Sequence, residues 1–65
     1  MIRVGYVKKD GTEVVHETVI GAVNARNSID ALKASKSGDS SIDCFYLESQ
    51  LTDTDWDRYA FRDQD

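Results

Sequence analysis

The sequence predicts a small α+β domain, an antiparallel sheet in the chain order ββαββ, or ββαβα, with one helix packed on one face. Three stretches carry that expectation. Asp10-Gly11 separates two runs rich in β-branched residues, the pattern of a tight hairpin. Asn27 to Gly38 carries start and stop signals for one short helix, and Ile42-Asp-Cys-Phe-Tyr-Leu-Glu48 reads as a further strand.

Met1 to Lys9 alternates Ile2, Val4 and Tyr6 with Arg3, Gly5 and Val7, and Thr12 to Ala25 forms the second strand. Asp-Gly is suited to a two-residue type I′ turn, because both central residues must tolerate positive φ. That turn sets Lys8 opposite Glu13, Val7 opposite Val14, Tyr6 opposite Val15, Val4 opposite Glu17 and Ile2 opposite Val19. One sheet face then holds Ile2, Val4, Tyr6, Val15 and Val19 beneath the helix. The other holds Val7, Val14 and Ile20 with Arg3, His16 and Thr18. Gly21 is expected to bulge the long second strand.

For the helix, Asn27 is the expected N-cap with Asp30 as its capping-box partner, and the helix runs from Ser28 to about Lys36. Lys33 and Lys36 suit the negative end of the dipole, and Gly38 can take the left-handed conformation that closes it. Ile29 and Leu32 form a narrow apolar stripe. So short a helix is marginal alone and must pack on the sheet. After the polar linker Ser37 to Ser41, Ile42, Cys44 and Tyr46 are expected to face the core, with Phe45 and Leu47 on the other side. The last segment starts either as a helix at Thr52 or as a strand in which Asp57, Tyr59 and Phe61 alternate with Trp56, Arg58, Ala60 and Arg62. Its aromatic residues favour the strand, with Asp53 to Asp55 as a turn.

Composition narrows the function classes. Sixty-five residues make a single domain, 1-65, with a small core, since a chain of this size buries only about 60% of its unfolded surface. One cysteine and one histidine cannot form an intrachain disulfide or a usual zinc site. No apolar stretch has the length of a signal peptide or a membrane span, so the expectation is a soluble cytoplasmic protein. The net charge is −4, unevenly spread. Residues 1 to 36 hold six bases and four acids (+2), and residues 37 to 65 hold two bases and eight acids (−6). That polarity argues against phosphate neutralisation, which needs clustered Lys and Arg, and suits a protein that meets a basic surface.

No enzyme motif surrounds His16 or Cys44, and the expected register puts these two on opposite faces. Asp53-x-Asp55-x-Asp57 opens like an EF-hand loop, but Arg58 stands where the turn needs Gly and Gln64 where calcium needs a bidentate Glu. No cofactor or metal is therefore expected. The candidate partner-binding residues are Asp53, Asp55, Trp56, Asp57, Arg58, Tyr59 and Phe61, where aromatic and arginine side chains of the kind enriched at interface hot spots sit among carboxylates. With Asp39, Asp43, Glu48, Asp63 and Asp65 they could imitate a row of phosphates. Plain solubility is the bland alternative for the acids, and core packing for the aromatics.

The hairpin, Val23-Asn-Ala-Arg-Asn-Ser-Ile-Asp-Ala-Leu-Lys-Ala before and within a helix, the strand Ile42-Asp-Cys-Phe-Tyr-Leu and the closing Asp55-Trp-Asp-Arg-Tyr-Ala-Phe form a pattern similar to some small phage-encoded anti-CRISPR proteins. The resemblance implies a non-enzymatic inhibitor in the host cell cytoplasm that binds a CRISPR effector complex, often where nucleic acid would go. A structural or assembly module, homodimeric through a sheet face or edge, is the alternative from a different class.

Overall fold

A computed structural model describes residues 1–61. Five elements follow in chain order: β1 (Ile2–Lys8), β2 (Glu13–Val19), α1 (Ala22–Ser35), β3 (Ile42–Gln50) and β4 (Trp56–Phe61). The last segment is thus a strand, and the order is ββαββ. All neighbouring strands pair antiparallel in one sheet of spatial order β2-β1-β3-β4.

The β1–β2 turn is tight, but it has three residues rather than two. Gly11 N donates to Lys8 O (2.9 Å) and Lys8 N donates to Thr12 O (2.8 Å), which leaves Lys9, Asp10 and Gly11 as the loop. Among the described residues only glycines have positive φ, Gly11 at 92°, so Asp10 does not meet the type I′ requirement. Asp10 uses its carboxylate instead, accepting from Thr12 N at 2.9 Å. The extra loop residue shifts the nearby register by one, pairing Val7 with Glu13 and Tyr6 with Val14. A bulge at His16, between the Val4–Glu17 and Gly5–Val15 pairs, cancels that shift. Val4–Glu17 and Ile2–Val19 therefore pair as expected, while Val14 replaces Val15 on the helix side.

The helix begins six residues earlier than the Asn27 signal suggested, with Gly21 at the N-cap position. Gly21 does not bulge a strand: at φ 90° it turns the chain out of β2, and Ala25 N donates to Gly21 O (3.1 Å) to close the first turn. Asn27 and Asp30 lie inside α1, where residues with real caps elsewhere can also stand, because packing and not the cap selects the start. The buried helix residues Ala25, Ser28, Ile29 and Leu32 repeat at three and four positions. At the other end Lys36 N donates to Leu32 O (3.0 Å), and Gly38 takes the left-handed conformation (φ 85°) as expected.

α1 lies over β1 and its two neighbours β2 and β3, and does not reach β4 among the described residues. Val4, Tyr6, Ile29, Leu32 and Phe45 form the core, with Val14, Val19, Ile42 and Leu47 packed around it. The Tyr6 and Phe45 rings meet edge to face at 6.4 Å. β3 therefore presents Phe45 and Leu47 to the helix, and the expected assignment of Cys44 and Tyr46 to that side is overturned. The alternation explains it: the face of Cys44 and Tyr46 continues into Glu48, whose carboxylate has bases on the opposite side of the sheet. Ile42 still reaches the core because a second irregularity, between Val7 and Lys8, resets the pairing so that Lys8 faces Ile42.

Two outcomes test this architecture. A Cβ at Gly5 would lie 2.3 Å from Val14 O and 2.7 Å from the Tyr46 hydroxyl, so Gly5→Ala should cost about 1–3 kcal/mol or more in urea unfolding. Unchanged stability would mean that Tyr46 does not sit there. The second concerns acid. Thr12, through its hydroxyl and then its amide, holds the Asp10 carboxyl below its ordinary value, and Ser41 does the same for Asp39. Groups with depressed folded pKa stabilise above the ordinary carboxylate range and lose that contribution as pH falls through the folded value. Asp10→Asn with Asp39→Asn should therefore flatten the decline of Tm as pH falls from about 4 toward 2; an unaltered acid limb would assign that decline to other groups.

Candidate partner-binding surface on the last hairpin

β3 and β4 are joined by a turn built from hydroxyl chemistry. Leu51 N donates to Asp55 O (2.9 Å), and the Thr52 hydroxyl accepts from Asp55 N (3.1 Å) and Thr54 N (3.4 Å). The backbone needs of the turn are thereby met without the carboxylates of Asp53 and Asp55, which are exposed. From Trp56 onward the chain pairs with β3 without interruption: Trp56 with Gln50, Asp57 with Ser49, Arg58 with Glu48, Tyr59 with Leu47, Ala60 with Tyr46 and Phe61 with Phe45.

This register divides the candidate residues between two faces. Trp56 and Arg58 lie with Tyr46 and Glu48 on the face away from the helix, and Asp57 and Tyr59 lie on the helix side, which the helix leaves uncovered at β4. The backbone of Phe61 pairs with Phe45. Arg62, Asp63, Gln64 and Asp65 lie outside the described residues.

On the face away from the helix, charges and rings are bound to one another. Tyr46 is 1% exposed, with its ring over the gap at Gly5 and the Arg58 guanidinium 4.2 Å above its centre. Arg58 donates through Nε to Glu48 (3.2 Å) and through Nη2 to Glu13 at the far edge of the sheet. Arg3 pairs with Glu48 from the other side (4.0 Å) and lies 3.5 Å over the Trp56 ring. Burial, then the Glu48 carboxylate, pushes the Tyr46 hydroxyl above its ordinary value. The hydrogen bond to Glu13, then the one to Glu48, raises Arg58 further above its own. Trp56 and Arg58 thus serve a side-chain lattice that spans all four strands.

Arg3, Glu13 and Tyr46, which were not among the sequence candidates, complete that lattice with Glu48, which the sequence placed in the phosphate-like row of acids and the structure pairs with two arginines. Their signal was the cross-strand alignment of Arg3, Glu48 and Arg58, visible only once β3 is placed beside β1. The remaining hairpin acids behave differently. Asp53, Asp55 and Asp57 are exposed and make no ion pair among the described residues. Leu51 and Tyr59 on the same hairpin are 66% and 69% exposed. No group of three or more His, Cys, Asp or Glu residues among the described residues could hold a metal ion, and no described helix is long and apolar enough to cross a membrane. No protein-family model matches the chain, and comparison with curated proteins and with solved structures returns no match.

The lattice can be tested by a double-mutant cycle on Arg58→Ala and Glu48→Ala. Because Glu48 is 12% exposed and shared by two arginines, the coupling should exceed the ~0.2–1 kcal/mol of an exposed pair. A coupling near zero would reduce the cluster to surface decoration.

Proposed function

We propose that the chain is a non-enzymatic inhibitor that binds a protein, docking its acidic last hairpin on a basic surface of a nucleic-acid-handling complex. A CRISPR effector is the partner that the anti-CRISPR resemblance implies. The observation that carries this reading is the division of the acids. Glu13 and Glu48 are neutralised by Arg58 and Arg3 within the fold, whereas Asp53, Asp55 and Asp57 stand exposed with no partner among the described residues. Three carboxylates at alternate positions, unpaired among the described residues, repel one another, and an encounter with positive charge would relieve that repulsion. Leu51 and Tyr59 beside them supply apolar area that a contact can bury.

The homodimeric alternative draws support from a different feature, the free outer edge of β4. Sedimentation of the isolated protein separates the two, a monomer suiting the inhibitor and a dimer the module.

The proposal is tested by capture from bacterial lysates that express CRISPR or other defence complexes, followed by binding kinetics with the captured complex. Association should slow steeply with salt, and changing Asp53, Asp55 and Asp57 together to Asn should slow it by about tenfold or more at low salt while leaving the melting curve intact. An affinity indifferent to both salt and the triple change overturns the electrostatic reading.

A further inference from the structure

The two edges of the sheet are finished differently. Along β2 the bulge at His16 interrupts the regular alternation of backbone groups, and Glu13, His16, Glu17 and Thr18 are exposed. A bulge of this kind blunts an edge against further pairing. Along β4 the pairing with β3 runs from Trp56 to Phe61 with no irregularity, and the strand contains no proline. It is a straight edge.

Which backbone groups that edge offers follows from the ladder. Gln50 N donates to Met1 O (3.0 Å), away from β4, while Leu51 N donates to Asp55 O across the hairpin. Gln50 and its partner Trp56 therefore form a pair without mutual hydrogen bonds, and antiparallel alternation repeats that state at Arg58 and Ala60. The N–H and C=O groups of Trp56, Arg58 and Ala60 point outward. Among the described residues no backbone hydrogen bond occupies them. The acids Asp53, Asp55 and Asp57 adjoin the same edge.

We propose that β4 takes up an extended, lysine- or arginine-bearing segment of the partner protein as a fifth strand, paired through the outward groups of Trp56, Arg58 and Ala60 and steered by Asp53, Asp55 and Asp57. This deepens the reading of the hairpin as a docking site and rests on it. Strand addition draws its affinity from main-chain hydrogen bonds and its selectivity from alternate side chains. A second copy of the chain fits the edge less well, because each copy carries a net charge of −4 and brings its own acidic hairpin to the junction.

The probe is a synthetic alternating lysine–valine peptide of about ten residues, long enough to span β4, with a second version N-methylated on every residue so that neither edge can donate. Methylation keeps the charge and removes the donors, so the peptide should bind with slowed hydrogen exchange at Trp56, Arg58 and Ala60, and the methylated peptide about tenfold or more weaker. Ala60→Pro removes one outward N–H without touching the β3 ladder, so it should fold and lose a similar factor. Should that variant unfold, the methylated peptide decides alone. Equal binding of both peptides overturns strand addition; if that binding still falls with the Asp-to-Asn triple change, the charge reading of the hairpin survives. Loss on methylation with no effect of the triple change upholds the added strand and overturns the charge reading. No binding of either peptide at millimolar concentration, or a dimer formed through β4 by the free protein, also overturns the proposal.

Discussion

The seat of Tyr46 over Gly5 is the constraint on which the rest of the sheet depends. A β-strand sends alternate residues to opposite faces, so one residue's commitment fixes its whole strand. The Tyr46 ring is nearly without solvent contact, and the space it fills exists only because its neighbour on β1 lacks a Cβ. With Tyr46 held there, Phe45 and Leu47 must turn toward Ile29 and Leu32, and Glu48 must join Arg3 and Arg58. One glycine thus selects the face of β3, the composition of the core and the partners of the central charge.

The lattice above Tyr46 answers a difficulty common to small sheets, namely that one helix covers only one face. Three strands lie beneath α1 here, and among the described residues no second layer covers the reverse side. Arginine is suited to that place, since its planar guanidinium can lie over a ring and still donate to carboxylates at its rim. Arg58 does this over Tyr46, and Arg3 over Trp56. The two ends of the chain are joined by the same contacts, because Arg3 belongs to the first strand and Trp56 to the last.

Legibility in the sequence followed the range of the interaction concerned. The order of the first four elements, the left-handed conformation of Gly38 and the core placement of Ile29 and Leu32 were readable from local chemistry, whereas the last segment read as either strand or helix. Gly11 was read as a turn residue, yet Asp10 had two ways to satisfy a turn, positive φ or a side-chain bond to Thr12, and the second added a loop residue. Two-residue alternation is unforgiving, so that addition exchanged Val14 and Val15 between faces until the His16 bulge restored the pairing. Asn27 carried a convincing cap signal, but burial of Ala25 and Ser28 extends the helix past it. Cys44 and Tyr46 looked like a core face because they lack charge; nothing within seven consecutive residues records that Gly5, forty positions upstream, makes a place for a tyrosine elsewhere. The candidate site was legible as a composition, acids among aromatics, and not as an arrangement, since Trp56 and Arg58 prove to serve the fold on one face while Asp57 and Tyr59 stand on the other.

That separation shows how a single strand serves two ends at once. With period two, β4 assigns Trp56 and Arg58 to holding the sheet and Asp57 and Tyr59 to the surface the helix leaves uncovered, while its backbone divides the same way, odd-numbered residues bonding inward to β3 and even-numbered ones facing outward. On the docking reading proposed above, stability and recognition fall to alternate residues of the same segment. A change at Asp57 alters the surface charge with little consequence for packing, whereas a change at Arg58 takes the arginine from Glu13, leaves Glu48 to Arg3 alone and uncovers a buried ring. The edge strand is held from within the sheet, by its ladder to β3 and by the contacts of Trp56 and Arg58 on one face, and neither uses the backbone groups that point outward.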